Sequence, residues 1–164
     1  MDKLESITQK IIEIDKLEQV LAFWRFWKYK IVFTNGCFDI LHRGHIEYLA
    51  KAASTGDVLI IGLNTDSSVQ KLKGKSRPVQ DEKARAIILA SLHFVDRVIL
   101  FDEETPYNLI QKIKPDILVK GGDYKPEEIV GSDIVKENGG KIITIDIVDG
   151  YSTTSIVNKL NSSG

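Results

Sequence analysis

Short runs of apolar, β-branched residues recur along most of the chain and alternate with segments of helical spacing. Five runs are bounded by turn residues and have the length and composition of strands. The segments between them place apolar residues at helical intervals. The predicted strands are Lys30–Thr34, Asp57–Leu63, Arg97–Phe101, Asp116–Lys120 and Lys141–Ile145. The predicted helices are His45–Thr55, Thr65–Leu72, Asp81–His93, Pro106–Lys114, Glu127–Asn138 and Ser152–Leu160.

Near-continuous apolar strands that alternate with helices are typical of a parallel sheet whose two faces are both covered. We therefore predict an α/β fold, a doubly wound five-stranded parallel sheet formed by residues 30–164. Residues 1–29 have helical spacing and are predicted to form an N-terminal helical extension, in which Asp15 and Glu18 cap a second helix. In such sheets ligands bind beyond the carboxyl ends of the strands, so the loops that follow the strands are expected to carry the chemistry.

The composition excludes several classes of partner. The 164 residues include 22 Lys and Arg and 23 Asp and Glu, and the net charge of -1 gives no general attraction to nucleic acid or to an anionic membrane. No apolar run approaches the roughly 20 residues that a membrane helix needs, and the first residues lack the apolar core of a signal peptide. A single cysteine, Cys37, fits a reducing compartment. We expect a cytoplasmic protein without nucleic-acid or membrane partners.

The loop after the first predicted strand carries two of the three histidines of the chain. His42 and His45 are three residues apart where a helix begins, so both imidazoles can face the same side of its first turn. Gly44 removes a side chain between them, and the free N–H groups of the turn favour an anion. Together with Gly36 and Asp39, this arrangement predicts a phosphate site. The alternative is a helix cap and a hydrogen-bonded core histidine.

The two histidines are also candidate zinc ligands. Zinc-binding pairs on a helix are typically four residues apart with a glutamate between them, whereas His42 and His45 are three apart and lack the glutamate. We therefore assign no metal to this pair, and the sequence identifies no protein ligand for any metal.

The same loop resembles a known family. Gly36-Cys37-Phe38-Asp39 followed by His42-Arg43-Gly44-His45 is similar to the G-x-F-D-x-x-H-x-G-H motif of the cytidylyltransferase-like nucleotidyltransferases, which share H-x-G-H with class I aminoacyl-tRNA synthetases. The resemblance implies a Rossmann-like nucleotidyltransferase fold and in-line attack of an acceptor phosphate on the α-phosphorus of a nucleoside triphosphate. It assigns catalysis to His42 and His45. It assigns nucleotide binding to Asn35, Gly36, Cys37, Phe38 and Gly44.

A second element of this family lies near the end of the chain. Gly150-Tyr151-Ser152-Thr153-Thr154 is similar to the G-I-S-T-T element that holds the β- and γ-phosphates, with tyrosine in place of isoleucine. The resemblance therefore assigns nucleotide binding to Tyr151, Ser152, Thr153 and Thr154. Taken alone, hydroxyl residues at a helix start after a glycine are an ordinary N-cap, which is the alternative.

Segments in the middle of the chain resemble one particular group of enzymes within this family. Gly62–Val69, Leu72–Gly74, Phe101–Pro106 and Val119–Tyr124 look like segments of the adenylyltransferases that make ADP-heptose from D-glycero-β-D-manno-heptose 1-phosphate. We expect the stand-alone form, without a sugar kinase. The resemblance implies ATP and a sugar 1-phosphate as substrates, Mg2+ bound with the triphosphate, and a role in lipopolysaccharide or surface-glycan precursor synthesis.

The remaining site residues are assigned on the same basis. Lys73, a cation beside Gly74, is assigned to catalysis because it can neutralise triphosphate charge; on the residues alone, a solvated surface lysine is an equal alternative. Arg85 also fits a local ion pair with Asp81. The residues expected to bind the acceptor are Asp39, Asn64, Asp66, Arg77 and Arg85. Four residues that follow a predicted buried strand are also expected to bind the nucleotide: Lys120, Gly121, Gly122 and Asp123.

One departure from the family bears on the nucleotide. Cytidylyltransferases of the glycerol phosphate type carry Arg-Thr-Glu before the final glycine element, whereas this chain has Ile147-Val148-Asp149. The missing arginine and the segment Val119–Tyr124 favour ATP over CTP. Two alternatives stay open: a cytidylyltransferase for glycerol 3-phosphate or a related polyol phosphate, and a nucleotide-binding regulatory module without turnover. Trp24, Phe26 and Trp27 look like packing aromatics, and a subunit contact is the alternative for them. We expect a homodimer.

Overall fold

The chain is built around a parallel sheet. A computed structural model describes residues 2–122, 124–146 and 150–162. In these ranges five parallel strands lie in the order β3-β2-β1-β4-β5. The strands are β1 Ile31–Gly36, β2 Val58–Asn64, β3 Arg97–Phe101, β4 Ile117–Gly121 and β5 Lys141–Ile145. The predicted five-stranded parallel sheet is confirmed, and each observed strand overlaps its predicted segment.

The helices lie close to their predicted positions, with two exceptions. The predicted helix at 127–138 is a 3-10 turn, Pro126–Glu128, and a separate short helix, because Gly131 between them has a φ of 82°. The predicted cap at Asp15 is wrong, because the second helix has Lys16 as its N-cap residue. The helices are α1 Lys3–Thr8, α2 Leu17–Phe26, α3 Arg43–Ala53, α4 Asp66–Lys73, α5 Glu82–Ser91, α6 Tyr107–Ile113, α7 Ser132–Glu137 and α8 Thr153–Ser162. None of the helices in the described ranges has the length and apolar character needed to cross a membrane.

Two apolar clusters cover the two faces of the sheet. Successive residues of β1 alternate between them: Ile31 and Phe33 join one cluster, and Val32 joins the other. Side chains of α2, α6 and α7 complete the first cluster, whereas side chains of α3 and α5 complete the second. Because helices cover both faces, every central strand is apolar on both sides, which explains the continuous apolar runs in the sequence.

The N-terminal extension packs into the same core. Its segment between α1 and α2 pairs with the outer side of β3, since the N–H of Val98 donates to Lys10 and the N–H of Ile12 donates to Val98. Three side chains of α2 are buried in the cluster that contains Phe33. They are Leu17, Leu21 and Trp24. The boundary at residue 29 therefore separates two sequence patterns, while the packing is continuous across it.

The strand order reverses between β1 and β4. These strands are neighbours in the sheet although β2 and β3 lie between them in the sequence. In doubly wound sheets the loops at the carboxyl ends of two such strands diverge and leave a crevice that binds ligands. The residues that follow β1 and β4 therefore define where the site is expected.

Candidate active site

A cavity of about 870 Å³ lies at the reversal point and is lined by four parts of the chain. They are the loop after β1 with the start of α3, the end of α4 with the loop after it, the loop after β4, and the start of α8. The two family motifs, which are more than 100 residues apart in the sequence, therefore share one cavity. The predicted site residues at its wall are Asn35, Gly36, Cys37, Phe38, Asp39, His42, Gly44, His45, Lys73, Arg77, Lys120, Gly121, Tyr151, Ser152, Thr153 and Thr154.

The two histidines stand together at the start of α3. His42 is the N-cap residue and has an extended backbone, but its side chain makes no capping hydrogen bond. The ring centroids of His42 and His45 are 3.8 Å apart with an angle of 23° between the planes, so the imidazoles stack. Within the described part of the chain, the Nδ1 atoms of both rings are buried without a hydrogen-bond partner. Both residues also line the cavity, so the imidazoles stand where a bound ligand would contact them.

The environment of the pair favours neutral imidazoles. Burial lowers the pKa of His42. Burial, the neighbouring His42 and the charge of Lys73 together lower the pKa of His45 to about 4. At neutral pH His45 is therefore uncharged and offers one N–H donor and one nitrogen acceptor. An incoming polyphosphate adds negative charge, which favours protonation and opposes this shift.

Phe38 fixes the position of His45. The φ of Phe38 is 43°, in the left-handed region that bulky residues rarely adopt. Its ring lies over Gly36, where an added Cβ would be only 2.9 Å from the Phe38 Cε2 atom. The Phe38 ring also contacts the His45 ring edge to face, with the two ring centroids 5.3 Å apart. Gly36 is therefore needed for the close approach of the ring that packs on the histidine.

Gly44 joins the two motifs. A Cβ at this position would lie 3.1 Å from the His42 ring and 3.3 Å from the Cβ of Tyr151. Tyr151 also stacks loosely on His42, with centroids 6.4 Å apart, and the guanidinium of Arg43 lies 5.6 Å from the Tyr151 ring centroid. The missing side chain at Gly44 thus lets the segment before α8 approach the start of α3.

Two lysines give the cavity positive charge. The ammonium of Lys120 donates to the side-chain oxygen of Asn35 at 2.6 Å, and burial lowers the pKa of this lysine. Lys73 is exposed at the end of α4, next to Gly74. The first cation is fixed by the end of β1, whereas the second can move toward an anion.

Asp39 orders the loop that follows α4. Its Oδ1 atom accepts from the backbone N–H groups of Val79 at 2.7 Å and Gln80 at 3.1 Å. Its Oδ2 atom is 2.6 Å from Nε of Arg77. The Nε–H of Arg77 is not aligned with the carboxylate, so the contact is ionic and neither atom has a hydrogen-bond partner among the described residues. The carboxylate is buried, and both Asp39 and the partly exposed Arg77 contribute to the cavity wall.

The start of α8 is a hydroxyl-rich helix N-terminus. The Ser152 hydroxyl accepts from the N–H of Ser155 at 3.0 Å, and the Ser155 hydroxyl donates back to the Ser152 carbonyl. Ser152 is thus an N-cap of α8, as the structural alternative proposed. Its O–H remains a donor, and the next residues, Thr153 and Thr154, also line the cavity.

The cytidylyltransferase-like family model matches residues 33–159. The chain belongs to this family. The bifunctional protein HldE of Campylobacter concisus (strain 13826) is 54% identical over 154 residues, which are 94% of this chain and 31% of that protein. The same protein of Wolinella succinogenes is 51% identical over 155 residues, 94% of this chain and 32% of that protein. The chain thus spans about a third of the length of these relatives.

Two solved structures share the fold. The lipopolysaccharide core biosynthesis protein of Thermoplasma volcanium GSS1 superposes with a TM-score of 0.60 and 32% identity, over 76% of this chain and 99% of that chain. The pantoate-beta-alanine ligase of Francisella tularensis gives a TM-score of 0.55 at 20% identity, over 93% of this chain and 78% of that chain. The second likeness concerns the fold alone.

Four predicted residues of this cytidylyltransferase-like chain are not at the wall of the cavity. Arg85 is buried and its guanidinium bonds entirely within the protein, one partner being Asp66 at 2.7 Å. Asn64 is also buried, and its side-chain N–H donates to Ser68 at 2.9 Å. Gly122 is described but does not contribute to the wall. The side chains of Arg85, Asn64 and Asp66 are bonded within the protein and do not line the cavity, so their direct contact with an acceptor is not supported.

Five residues at the wall were not predicted as site residues. Tyr48 lies one turn after His45 on α3; its hydroxyl is within 2.7 Å of the Thr34 hydroxyl and donates to the Val119 carbonyl at 3.2 Å. Burial raises the pKa of Tyr48 to about 12. Its spacing from His45 was the signal that could have identified it. The other four are Tyr124, Glu128, Ile129 and Val130.

The described residues offer no protein-made metal centre. No group of three or more His, Cys, Asp or Glu within 2–122, 124–146 and 150–162 is arranged to hold a metal ion. Two predictions lie outside these ranges: nucleotide contact by Asp123, and the departure from the cytidylyltransferase pattern at Ile147-Val148-Asp149.

Proposed function

We propose that this chain transfers AMP from ATP to D-glycero-β-D-manno-heptose 1-phosphate and releases ADP-heptose and pyrophosphate. The observation that carries the proposal is the convergence on one cavity of the histidine pair, two lysines, an enclosed arginine and a hydroxyl-rich helix start. The resemblance of the middle segments to ADP-heptose adenylyltransferases supports the choice of acceptor. The Thermoplasma volcanium relative is a lipopolysaccharide core biosynthesis protein, and a surface-glycan precursor fits that role.

The reaction needs no covalent nucleophile. An oxygen of the acceptor phosphate attacks the α-phosphorus of ATP and forms a new P–O bond. The bond from the α-phosphorus to the bridging oxygen breaks in line, and pyrophosphate leaves with the electron pair. Because the pKa of His45 is low, its neutral imidazole acts as a hydrogen-bond donor to an oxygen of the α-phosphate, and His42 stands beside it.

The charges around the cavity indicate which residues bind the phosphates of ATP and which bind the acceptor phosphate. The start of α8 offers N–H and O–H donors to the β- and γ-phosphates, and mobile Lys73 neutralises the departing pyrophosphate. Arg77, on the side of the loop after α4, binds the acceptor phosphate. Both carboxylate oxygens of Asp39 already have contacts within the protein, one with Arg77 and the other with two backbone N–H groups. We therefore propose that Mg2+ enters with the oxygens of the triphosphate as part of the substrate.

We propose ATP as the nucleotide, with a preference over CTP of at least about tenfold in kcat/KM, which corresponds to about 1.4 kcal/mol of transition-state binding. One or two hydrogen bonds to the base supply a difference of this size. The segment around Lys120 and the absence of arginine at Ile147 support this choice. ATP and the reduced thiol of Cys37 both fit a cytoplasmic enzyme.

The function is tested by pyrophosphate release. ATP and CTP are each incubated with heptose 1-phosphate and with glycerol 3-phosphate in the presence of Mg2+. Release from ATP with heptose 1-phosphate, faster than from the other three pairs, is the expected result. Faster release with CTP and glycerol 3-phosphate would favour the cytidylyltransferase alternative. No release from any pair, with ATP binding intact, would favour a regulatory module.

The homodimer also stays a proposal. Large aromatic side chains at the end of α2 are exposed, including Phe26 at 78% and Trp27 at 57%. Trp24, in contrast, is buried in the core, so it cannot contribute to a subunit contact. Light scattering of the wild type and of Phe26→Ser tests the proposal: a dimer that becomes a monomer in the variant supports it, and a monomeric wild type contradicts it.

A further inference from the structure

Arg85 is 1% exposed and is bonded to oxygens of four residues from three separate segments of the chain. Arg85 belongs to α5 and does not line the cavity. Its Nε donates to the Gln80 carbonyl at 3.0 Å, Nη1 donates to the carbonyls of Cys37 at 2.7 Å and Asn64 at 2.8 Å, and Nη2 pairs with Asp66 at 2.7 Å. The arginine thus ties together the segments after β1 and β2 and the loop before α5.

Gln80 is held from both sides. Its carbonyl accepts from Arg85, and its N–H donates to Asp39 at 3.1 Å. The other oxygen of Asp39 is 2.6 Å from Nε of Arg77, whose side chain is 16% exposed at the cavity. A continuous series of contacts therefore runs from Arg85 through Gln80 and Asp39 to Arg77.

The other end of this loop is weakly held. Gly74 has a φ of 95°, and an added Cβ there would have no heavy atom within 4 Å. Lys75 and Ser76 are exposed. Because the first half of the loop is open to solvent, its position depends on the contacts of its second half with Asp39 and Arg85.

We propose that Arg85 is a positioning residue that fixes Arg77 for binding of the acceptor phosphate, acting through Gln80 and Asp39. The identity of the acceptor as a sugar phosphate rests on the proposed function. The planar guanidinium of arginine can donate in several directions at once, whereas the single ammonium of lysine cannot satisfy four oxygens around it. Lysine at position 85 therefore keeps the buried charge but releases part of the loop.

The first test is kinetic. Arg85→Lys is expected to raise the KM for the sugar 1-phosphate by about tenfold or more and the KM for ATP by less than about threefold, because Arg77 is on the acceptor side. In an Arg77→Ala background, Arg85→Lys should add less than about threefold, since its effect passes through Arg77. Equal increases in both KM values, or fully additive effects in the double variant, would overturn the proposal.

The control is a second arginine that bonds to a backbone carbonyl far from the cavity. Arg25 on α2 donates from Nη2 to the carbonyl of Ile113 at 2.6 Å. Arg25→Lys is expected to alter stability without changing the ratio of the two KM values. If Arg85→Lys does not fold, Asp66→Asn weakens the same guanidinium and should change both measurements in the same direction by a smaller factor.

The second test needs no turnover. Amide hydrogen exchange reports whether the N–H groups of Val79 and Gln80 stay bonded to Asp39. Arg85→Lys should reduce protection of these two amides by about tenfold or more while the amides of β1 and β2 keep theirs. Unchanged protection at Val79 and Gln80 would overturn the proposal. A chain that releases no pyrophosphate would refute the proposed function, and the exchange result would still decide the role of Arg85.

Discussion

His42 and His45 stack at the N-terminus of α3 with their ring centroids 3.8 Å apart. Neither ring has a hydrogen-bond partner for Nδ1 among the described residues. Burial lowers the pKa of both groups, and the neighbouring His42 lowers the pKa of His45 further, because two close imidazoles disfavour simultaneous protonation. In a cavity that also contains Lys73 and Arg77, these two cations provide charge while the histidines provide oriented donors. This division of roles leads to the first two predictions.

Loss of either histidine should affect catalysis more than folding. His42→Ala and His45→Ala are each expected to lower kcat by about 100-fold or more, as for removal of a donor to a charged transition state. His93→Ala is the matched control, because His93 is exposed and outside the cavity. Pyrophosphate release measures the effect, and circular dichroism checks the fold. Near-normal turnover in both variants would remove the histidines from the mechanism.

The lowered pKa of His45 predicts a dependence of stability on pH. The group has a pKa of about 4 in the folded chain and 6.5 as its ordinary value, so between these values the unfolded state binds more protons. The free energy of unfolding should therefore fall as the pH is lowered from 6.5 toward 4. His45→Asn should reduce the difference between the urea midpoints at pH 7 and pH 5. Identical differences in the wild type and the variant would contradict the shift.

The start of α8 should recognise phosphates rather than the nucleoside. Thr153→Val removes a hydroxyl at the cavity and is expected to weaken ATP binding by about tenfold, or about 1.4 kcal/mol, with little effect on adenosine. Ser152→Ala should do the same and also destabilise α8, because it removes a cap hydrogen bond. Calorimetric titration with ATP and adenosine separates the two ligands.

Ser155→Ala is the control for this experiment. Ser155 shares the cap with Ser152 but does not line the cavity. It should lower the melting temperature and leave the ratio of ATP to adenosine affinity unchanged. If Ser155→Ala weakens ATP binding as much as Thr153→Val, these hydroxyl residues only support the helix.

The wall formed by Tyr124 and Glu128–Val130 should contact an uncharged part of the nucleotide. It combines an aromatic ring, two aliphatic side chains and a carboxylate, and the carboxylate repels phosphate. Glu128→Gln is expected to raise the KM for ATP by about threefold to tenfold and to leave the KM of the acceptor nearly unchanged. Glu127→Gln is the control, since Glu127 is exposed, lies 3.8 Å from Lys136 and is not at the cavity. A larger change for the acceptor would place the sugar at this wall.

Sequence reasoning predicted most of the residues that line the candidate site, because the strongest signals of that site are local. The spacing of His42 and His45 and the run of hydroxyl residues at Ser152 follow directly from the chain, and the alternation of strands and helices determines which loops share one side of the sheet. It could not decide which way an arginine points. Arg77 and Arg85 are the same residue type eight positions apart, yet one lines the cavity and the other is buried away from it.

The wall after β4 was missed for a different reason. A continuous helix was predicted over 127–138, which gave Glu128 and Val130 no special role. In the structure Gly131 turns the chain with a positive φ and approaches Ile110 so closely that a Cβ would be 2.6 Å from its Cδ1 atom. This wall depends on the packing contact between Gly131 and Ile110, which are distant in the sequence. The spacing of apolar residues does not predict such a contact.

The pairing of residues 10–12 with β3 has a consequence for how this chain can be shortened. β3 is the last of the five strands on its side, and a sheet edge with unpaired N–H and C=O groups is a template for aggregation. The backbone of Lys10 and Ile12 occupies part of that edge through Val98, and α2 covers the adjoining apolar face with Leu17 and Leu21. A fragment that begins at Lys30 would keep every residue of the cavity wall and still be expected to self-associate, because the protection of its sheet lies in the segment removed.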